Sequence, residues 1–163
     1  MRLTTREEFD SSPEAVFALI ADDEFQQAKC EATSTGKFSV TVTRSGGHVV
    51  VRSERHLPTD GLPDAARPFV GAELTVVEVQ SWGPAEADGT RHASVDLHVR
   101  GAPLTLKAEV VLTPGGRGTL ELLDGELRAT VPFIGGLIEQ AAAAPIVSAV
   151  TIEASTLREF LAR

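Results

Sequence analysis

The carboxy-terminal segment constrains this chain most. "TVPFIGGLIEQAAAAPIVSAV" (130–150) begins as a strand, turns at Pro132, Gly135 and Gly136, and continues helically to the end of the sequence. Leu137, Ala141, Ala144, Val147, Val150, Ala154, Leu157 and Leu161 recur at steps of three and four. That is the apolar stripe of one long amphipathic helix. A helix with one greasy stripe needs an apolar surface to cover, and the preceding hundred or so residues supply it.

Those residues alternate with period two. Arg2 to Phe9 reads as a strand, and from Lys37 onward Phe38, Val40 and Val42 alternate up to the hairpin signal Ser45-Gly46-Gly47. His48 to Leu57, Glu73 to Trp82, "RHASVDLHV", "LTLKAEVVLT" and Thr119 to Val131 follow, separated by turns rich in Gly and Pro. Pro58, Gly61 and Pro63 mark a loop, and "DAARPFVG" adds a helical turn. Between the first two strands, Ser11 or Ser12 caps a helix that Pro13 starts, and Asp22 restarts a second toward Cys30. The expected class is α+β: seven antiparallel strands, all but the first in a meander, two short helices after strand 1, and the long helix over one face. No linker or repeat interrupts the chain, so residues 1–163 form one expected domain.

Three strands show which face the helix covers. Leu104, Leu106, Ala108, Val110 and Leu112 alternate with polar neighbours, as do Ala93, Val95, Leu97 and Val99, and then Leu123, Leu127, Ala129 and Val131. The Ala141–Ala144 run either leaves room for a ligand or lets helix and sheet approach closely. Pro145 should bend the helix there.

The net charge of −8 opposes binding to nucleic acid or to anionic membranes, since both require a basic footprint. No apolar run is expected to reach the ~18 residues of a membrane span, so no stable membrane insertion is expected. Cys30 is the one cysteine, which points to the cytoplasm.

Candidates for chemistry are few. His92, Ser94, Asp96 and His98 share one strand face, but opposite the apolar parity and with ~20 Å between the histidines, too far apart to hold one ion. Ser53 and Arg55 fall on the inward parity of their strand. An inward arginine requires a carboxylate partner or an anionic ligand head group. Trp82 ends a strand and Phe69 sits in the loop-helix before it, where an aromatic either lines a pocket mouth or packs in the core or at the rim, and Cys30 has no identifiable neighbouring base. No phosphate loop, G-x-S-x-G, H-E-x-x-H or paired-cysteine motif occurs, so no catalytic residue, metal ligand or cofactor is expected.

"SSPEAVFALIADDEF" resembles the opening of the helix-grip superfamily, the group of START lipid-transfer domains, birch-pollen-allergen-like proteins and polyketide cyclases (SRPBCC). "LPDAARPFVG", "TVVEVQSW" and "VPFIGGLIE" resemble an actinobacterial branch of it known only as a domain of unknown function. The resemblance implies a cavity between sheet and terminal helix that binds a small hydrophobic molecule such as a lipid, isoprenoid or polyketide. The expected lining is Ser53, Arg55, Phe69, Trp82, Val95, Leu97, Leu106, Ala108, Leu137, Ala141, Ala144 and Val147. Two other functions stay open: a cyclase or hydrolase using the same pocket with His48 or His56, and a protein-interaction module.

Overall fold

A computed structural model describes residues 1–57, 59–60, 62–69 and 73–163. The expected loop markers Pro58 and Gly61, and Val70 and Gly71 of the expected helical turn, lie outside these residues.

The chain runs β1 (Arg2–Phe9), α1 (Pro13–Ile20), α2 (Asp23–Thr33), β2 (Phe38–Ser45) and β3 (His48–Leu57). A short 3-10 turn (Arg67–Phe69), β4 (Leu74–Trp82), β5 (Arg91–Arg100), β6 (Leu104–Gly115), β7 (Gly118–Ala129) and α3 (Gly135–Leu161) follow. The strands form one antiparallel sheet in the order β1-β7-β6-β5-β4-β3-β2. The meander from β2 to β7 is therefore complete, and β1 closes it at the β7 edge.

Local chemistry sets these boundaries. The Ser12 hydroxyl accepts from the Ala15 N–H (3.2 Å) and Pro13 occupies the first turn, so α1 begins where the chain leaves β1. The Asp22 carboxylate caps α2 in the same way, accepting from the Phe25 N–H at 2.9 Å. Gly46 and Gly47 both have positive φ (58° and 80°), the backbone that a tight two-residue hairpin demands. β6 and β7 approach closely at Gly125, opposite Ala108. A methyl group at that position would lie 2.5 Å from the Ala108 Cβ, so only a bare Cα lets β6 and β7 lie this close.

The concave face carries the core. Phe9, Val51, Val95, Leu106, Leu112 and Leu127 from the sheet meet Val16, Ile20 and Phe25 of the short helices and Ala154 and Leu157 of α3. The opposite parity is polar and exposed. His92, Ser94, Asp96 and His98 all lie in solvent there, with His92 3.1 Å from Glu86 and Lys107 3.2 Å from Asp96.

Three expectations need correction. β7 ends at Ala129, and the left-handed residue of the turn into α3 is Phe133 (φ 68°), not Gly135 or Gly136, which already belong to the helix. The expected α3 stripe is out of phase in its first half: Leu137 and Val147 are 46% and 39% exposed and Ala144 is exposed. Ala142, Ala143 and Ile146 are the residues that pack against the core instead. A stretch so rich in alanine carries several equivalent stripes, and the sheet selects one of them. Finally, α3 is long and apolar enough to cross a membrane by length and composition, contrary to the expected absence of such a run. Its second half is instead built into the core.

Candidate functional site

The register places a row of polar side chains on the otherwise apolar concave floor. Ser53 of β3 lies opposite Glu78 of β4, which lies opposite Leu97 of β5. Arg55 follows Ser53 on the same face and Gln80 follows Glu78. All four are at least nine-tenths buried, as is Lys29, which reaches down from α2.

Each charge in the row has a partner. Arg55 is ion-paired to Glu78 Oε2, and its Nη1 donates to the Thr33 hydroxyl at 2.9 Å. Lys29 Nζ lies 3.4 Å from Glu78 Oε1 and 3.0 Å from Glu153 Oε2 of α3. The Gln80 amide donates to Glu78 Oε1 at 2.6 Å, and the Trp82 indole N–H donates to Gln80 Oε1 at 3.1 Å.

This geometry sets the protonation states. Burial by itself pushes the Glu78 carboxyl up, but Lys29, Arg55 and the Gln80 hydrogen bond outweigh it and hold the group at about 2. Burial likewise pulls Lys29 down, and Glu153 and Glu78 overcome that pull, so its ammonium is kept. Glu121 of β7 differs. It lies on the same face under α3, and burial together with the Glu153 and Glu7 carboxylates raises it to about 8, against the opposing pull of Lys29 and Arg158. At neutral pH it is protonated. Cys30 is buried and its thiol is pushed up by that burial, which leaves it unreactive.

Beyond the polar row the floor is apolar, and its cover is incomplete. Val95, Leu106 and Ala108 are buried, whereas Leu97, Leu104 and Leu123 below and Ala141, Ala142, Ala143 and Ile146 above are only half-buried. α3 runs through Pro145 as one helix, although the proline removes the N–H that the Ala141 carbonyl would otherwise accept. The Glu139 carboxylate fastens its start by accepting from the Ala129 N–H at 2.9 Å. Two surface depressions lie near β1, and the second shares Leu123 with this wall. One, of about 230 Å3, is lined by Glu8, Asp10, Ser11, Arg117, Arg158, Leu161 and Ala162; the other, of about 410 Å3, lies along β1 and β7.

Of the residues singled out in the sequence, the concave floor brings together Ser53, Arg55, Trp82, Val95, Leu97, Leu106 and Ala108, with Ala141 at the helix edge. Trp82 is fully packed against Phe17 (ring centroids 5.6 Å apart), so it is a core residue rather than one at a mouth. Phe69 is 41% exposed in the 3-10 turn, and Leu137, Ala144 and Val147 point outward from α3. His48 is exposed, and His56 pairs with Glu73 at 3.2 Å on the outer parity, so neither joins Ser53 and Arg55. Among the described residues no group of three or more His, Cys, Asp or Glu side chains is disposed to hold a metal ion.

Sequence reasoning missed Lys29, Glu78, Gln80, Glu121 and Glu153. Two signals were available. Glu78 and Gln80 share the parity of Trp82 in "EVQSW", and Lys29 stands one helical turn after the core residue Phe25.

The sequence profile described as "Protein of unknown function (DUF2505)" matches residues 4–161. The chain belongs to this family. An uncharacterised protein of Mycobacterium tuberculosis is 25% identical over 157 residues, covering 90% of this chain and 88% of its own length. Among solved structures, the STAR-related lipid transfer protein of Xanthomonas axonopodis superposes with a TM-score of 0.60 at 11% identity, over 95% of this chain and 84% of that one. The Zhui aromatase/cyclase of Streptomyces sp. R1128 superposes with a TM-score of 0.58 at 10% identity, over 98% and 92%. At such identities the likeness establishes the fold: a DUF2505 protein with the helix-grip architecture.

Proposed function

We propose that this DUF2505 protein acts as a single helix-grip domain in the cytoplasm and binds a small hydrophobic molecule between the concave sheet and the first half of α3. The carrying observation is the half-buried apolar wall: Leu97, Leu104 and Leu123 below, Ala141, Ala142, Ala143 and Ile146 above. Apolar side chains that keep contact with water gain free energy when a further apolar group excludes that water. Val95, Leu106 and Ala108 continue the wall inward toward Ser53 and Arg55. The relatives named for lipid transfer and for aromatase/cyclase activity support the same reading, and the lone buried thiol supports the compartment.

Native mass spectrometry of protein purified from its own host tests this. A bound small molecule released by organic solvent is the expected result. A ligand-free mass, with no protection of the 138–146 amides on adding apolar compounds, would refute the proposal.

A further inference from the structure

The polar row at the inner end of the wall says what kind of molecule fits. Its two buried cations, Lys29 and Arg55, face two carboxylates, Glu78 and Glu153. Both Glu78 oxygens are engaged, Oε1 by Lys29 and Gln80 and Oε2 by Arg55, and the Gln80 carbonyl oxygen is taken by Trp82. On β3, however, two polar groups are left over. Among the described residues the Arg55 Nε–H is buried without a partner, and Ser53, 3% exposed, makes no side-chain hydrogen bond and keeps a little contact with water. Both lie on one face of β3, the face toward which Lys29 and Thr33 of α2 reach. A buried donor without a partner costs free energy that an incoming oxygen recovers.

We infer that the ligand is an uncharged apolar molecule bearing a carbonyl or hydroxyl oxygen, which the Ser53 hydroxyl takes at this polar end. The charge count decides against the alternatives. A carboxylate head would enter a closed set of two positive and two negative groups with both cations already committed, and would bury an unpaired charge. An amine head would meet the same difficulty, since both carboxylates are committed. A plain hydrocarbon would leave the Ser53 hydroxyl unsatisfied. This inference rests on the hydrophobic-ligand reading above and names its substrate class.

The test is displacement of Nile red from the intact protein at neutral pH by four compounds of matched chain length: methyl decyl ketone, dodecanol, dodecanoate and dodecane. The ketone and alcohol should displace the dye at concentrations at least about tenfold lower than dodecanoate does. Ser53→Ala should weaken the ketone and alcohol by roughly threefold to tenfold while leaving dodecane unchanged, the size of one lost hydrogen bond. The thermal midpoint of the variant confirms that it folds. Dodecanoate binding as tightly as the ketone, or a ketone affinity untouched by Ser53→Ala, overturns the inference. Equal binding of all four compounds overturns it while leaving the hydrophobic-ligand reading in place, and no displacement by any of them overturns both.

Discussion

From Gly135 to Val150, α3 has no fully buried residue, whereas from Thr151 to Leu161 it sinks Ala154, Thr156 and Leu157 into the core. The second half is also tied by charge. Glu153 meets Lys29, Arg158 Nη2 donates to Glu7 at 2.7 Å, and Phe160 packs edge-on against Phe25 of α2. The first half has the Glu139 clasp at its start, which also meets the Met1 ammonium at 3.4 Å, and below it only half-buried alanines and Ile146. One helix thus contains an anchor and a lightly seated arm, with Pro145 near the change between them. A ligand that needs space under the sheet's cover meets least resistance at the arm, because opening there breaks the fewest buried contacts.

Five substitutions test that contrast. The largest effect should come from Lys29→Met, which leaves Glu153 unpaired and Glu78 half-compensated in the interior. A loss of about 3–5 kcal/mol in denaturant unfolding is expected, and a loss below about 1 kcal/mol would remove the ionic anchor from the account. Leu157→Ala should cost about 2–5 kcal/mol by the same measurement, as a cavity under the anchored half.

Glu121→Gln should act in the opposite direction and only at higher pH. The folded protein holds the Glu121 proton up to about pH 8, while the unfolded chain releases it above about pH 4.3. Wild-type stability therefore falls as pH rises through this window, and the stabilisation is fully present only below it. The variant has no proton to lose and should be the more stable protein at pH 9, by on the order of 1–2 kcal/mol. Thermal midpoints measured from pH 5 to 9 check this; parallel curves would show that Glu121 does not face the Glu153 and Glu7 carboxylates. The smallest effect belongs to the arm. Leu137→Ser and Val147→Ser should each change stability by less than about 0.5 kcal/mol, and a larger loss would mean that the outward stripe is packed after all.

Much of the architecture was legible because parity is a strong signal. Alternation over ten residues at "LTLKAEVVLT" or "RHASVDLHV" admits one buried face, and a slip by one residue would bury Lys107 or Asp96. The inward placement of Ser53 and Arg55 followed from the same logic. The identity of the Arg55 partner did not, because Glu78 lies 23 residues away and meets it only through the β3–β4 register. The phase of α3 was readable where Glu153 and Arg158 break the apolar run and unreadable across 137–150, where nearly every stripe is apolar. Phe133 was hidden for another reason: a left-handed φ is ordinarily a glycine's work, and two glycines stand close by.

The ionic row has a consequence for how chains of this kind descend from one another. Arg55, Glu78, Lys29 and Glu153 come from four separate elements, yet their charges cancel only as a set. A lineage that loses one of them inherits a buried, uncompensated charge, and the next accepted change is the one that removes its counterpart. Neighbouring surface ion pairs such as Lys107–Asp96 carry no such debt and are free to drift singly. Among descendants the four positions should therefore be inherited as two charge-matched couples or replaced together by apolar side chains, long after the residues around them have diverged.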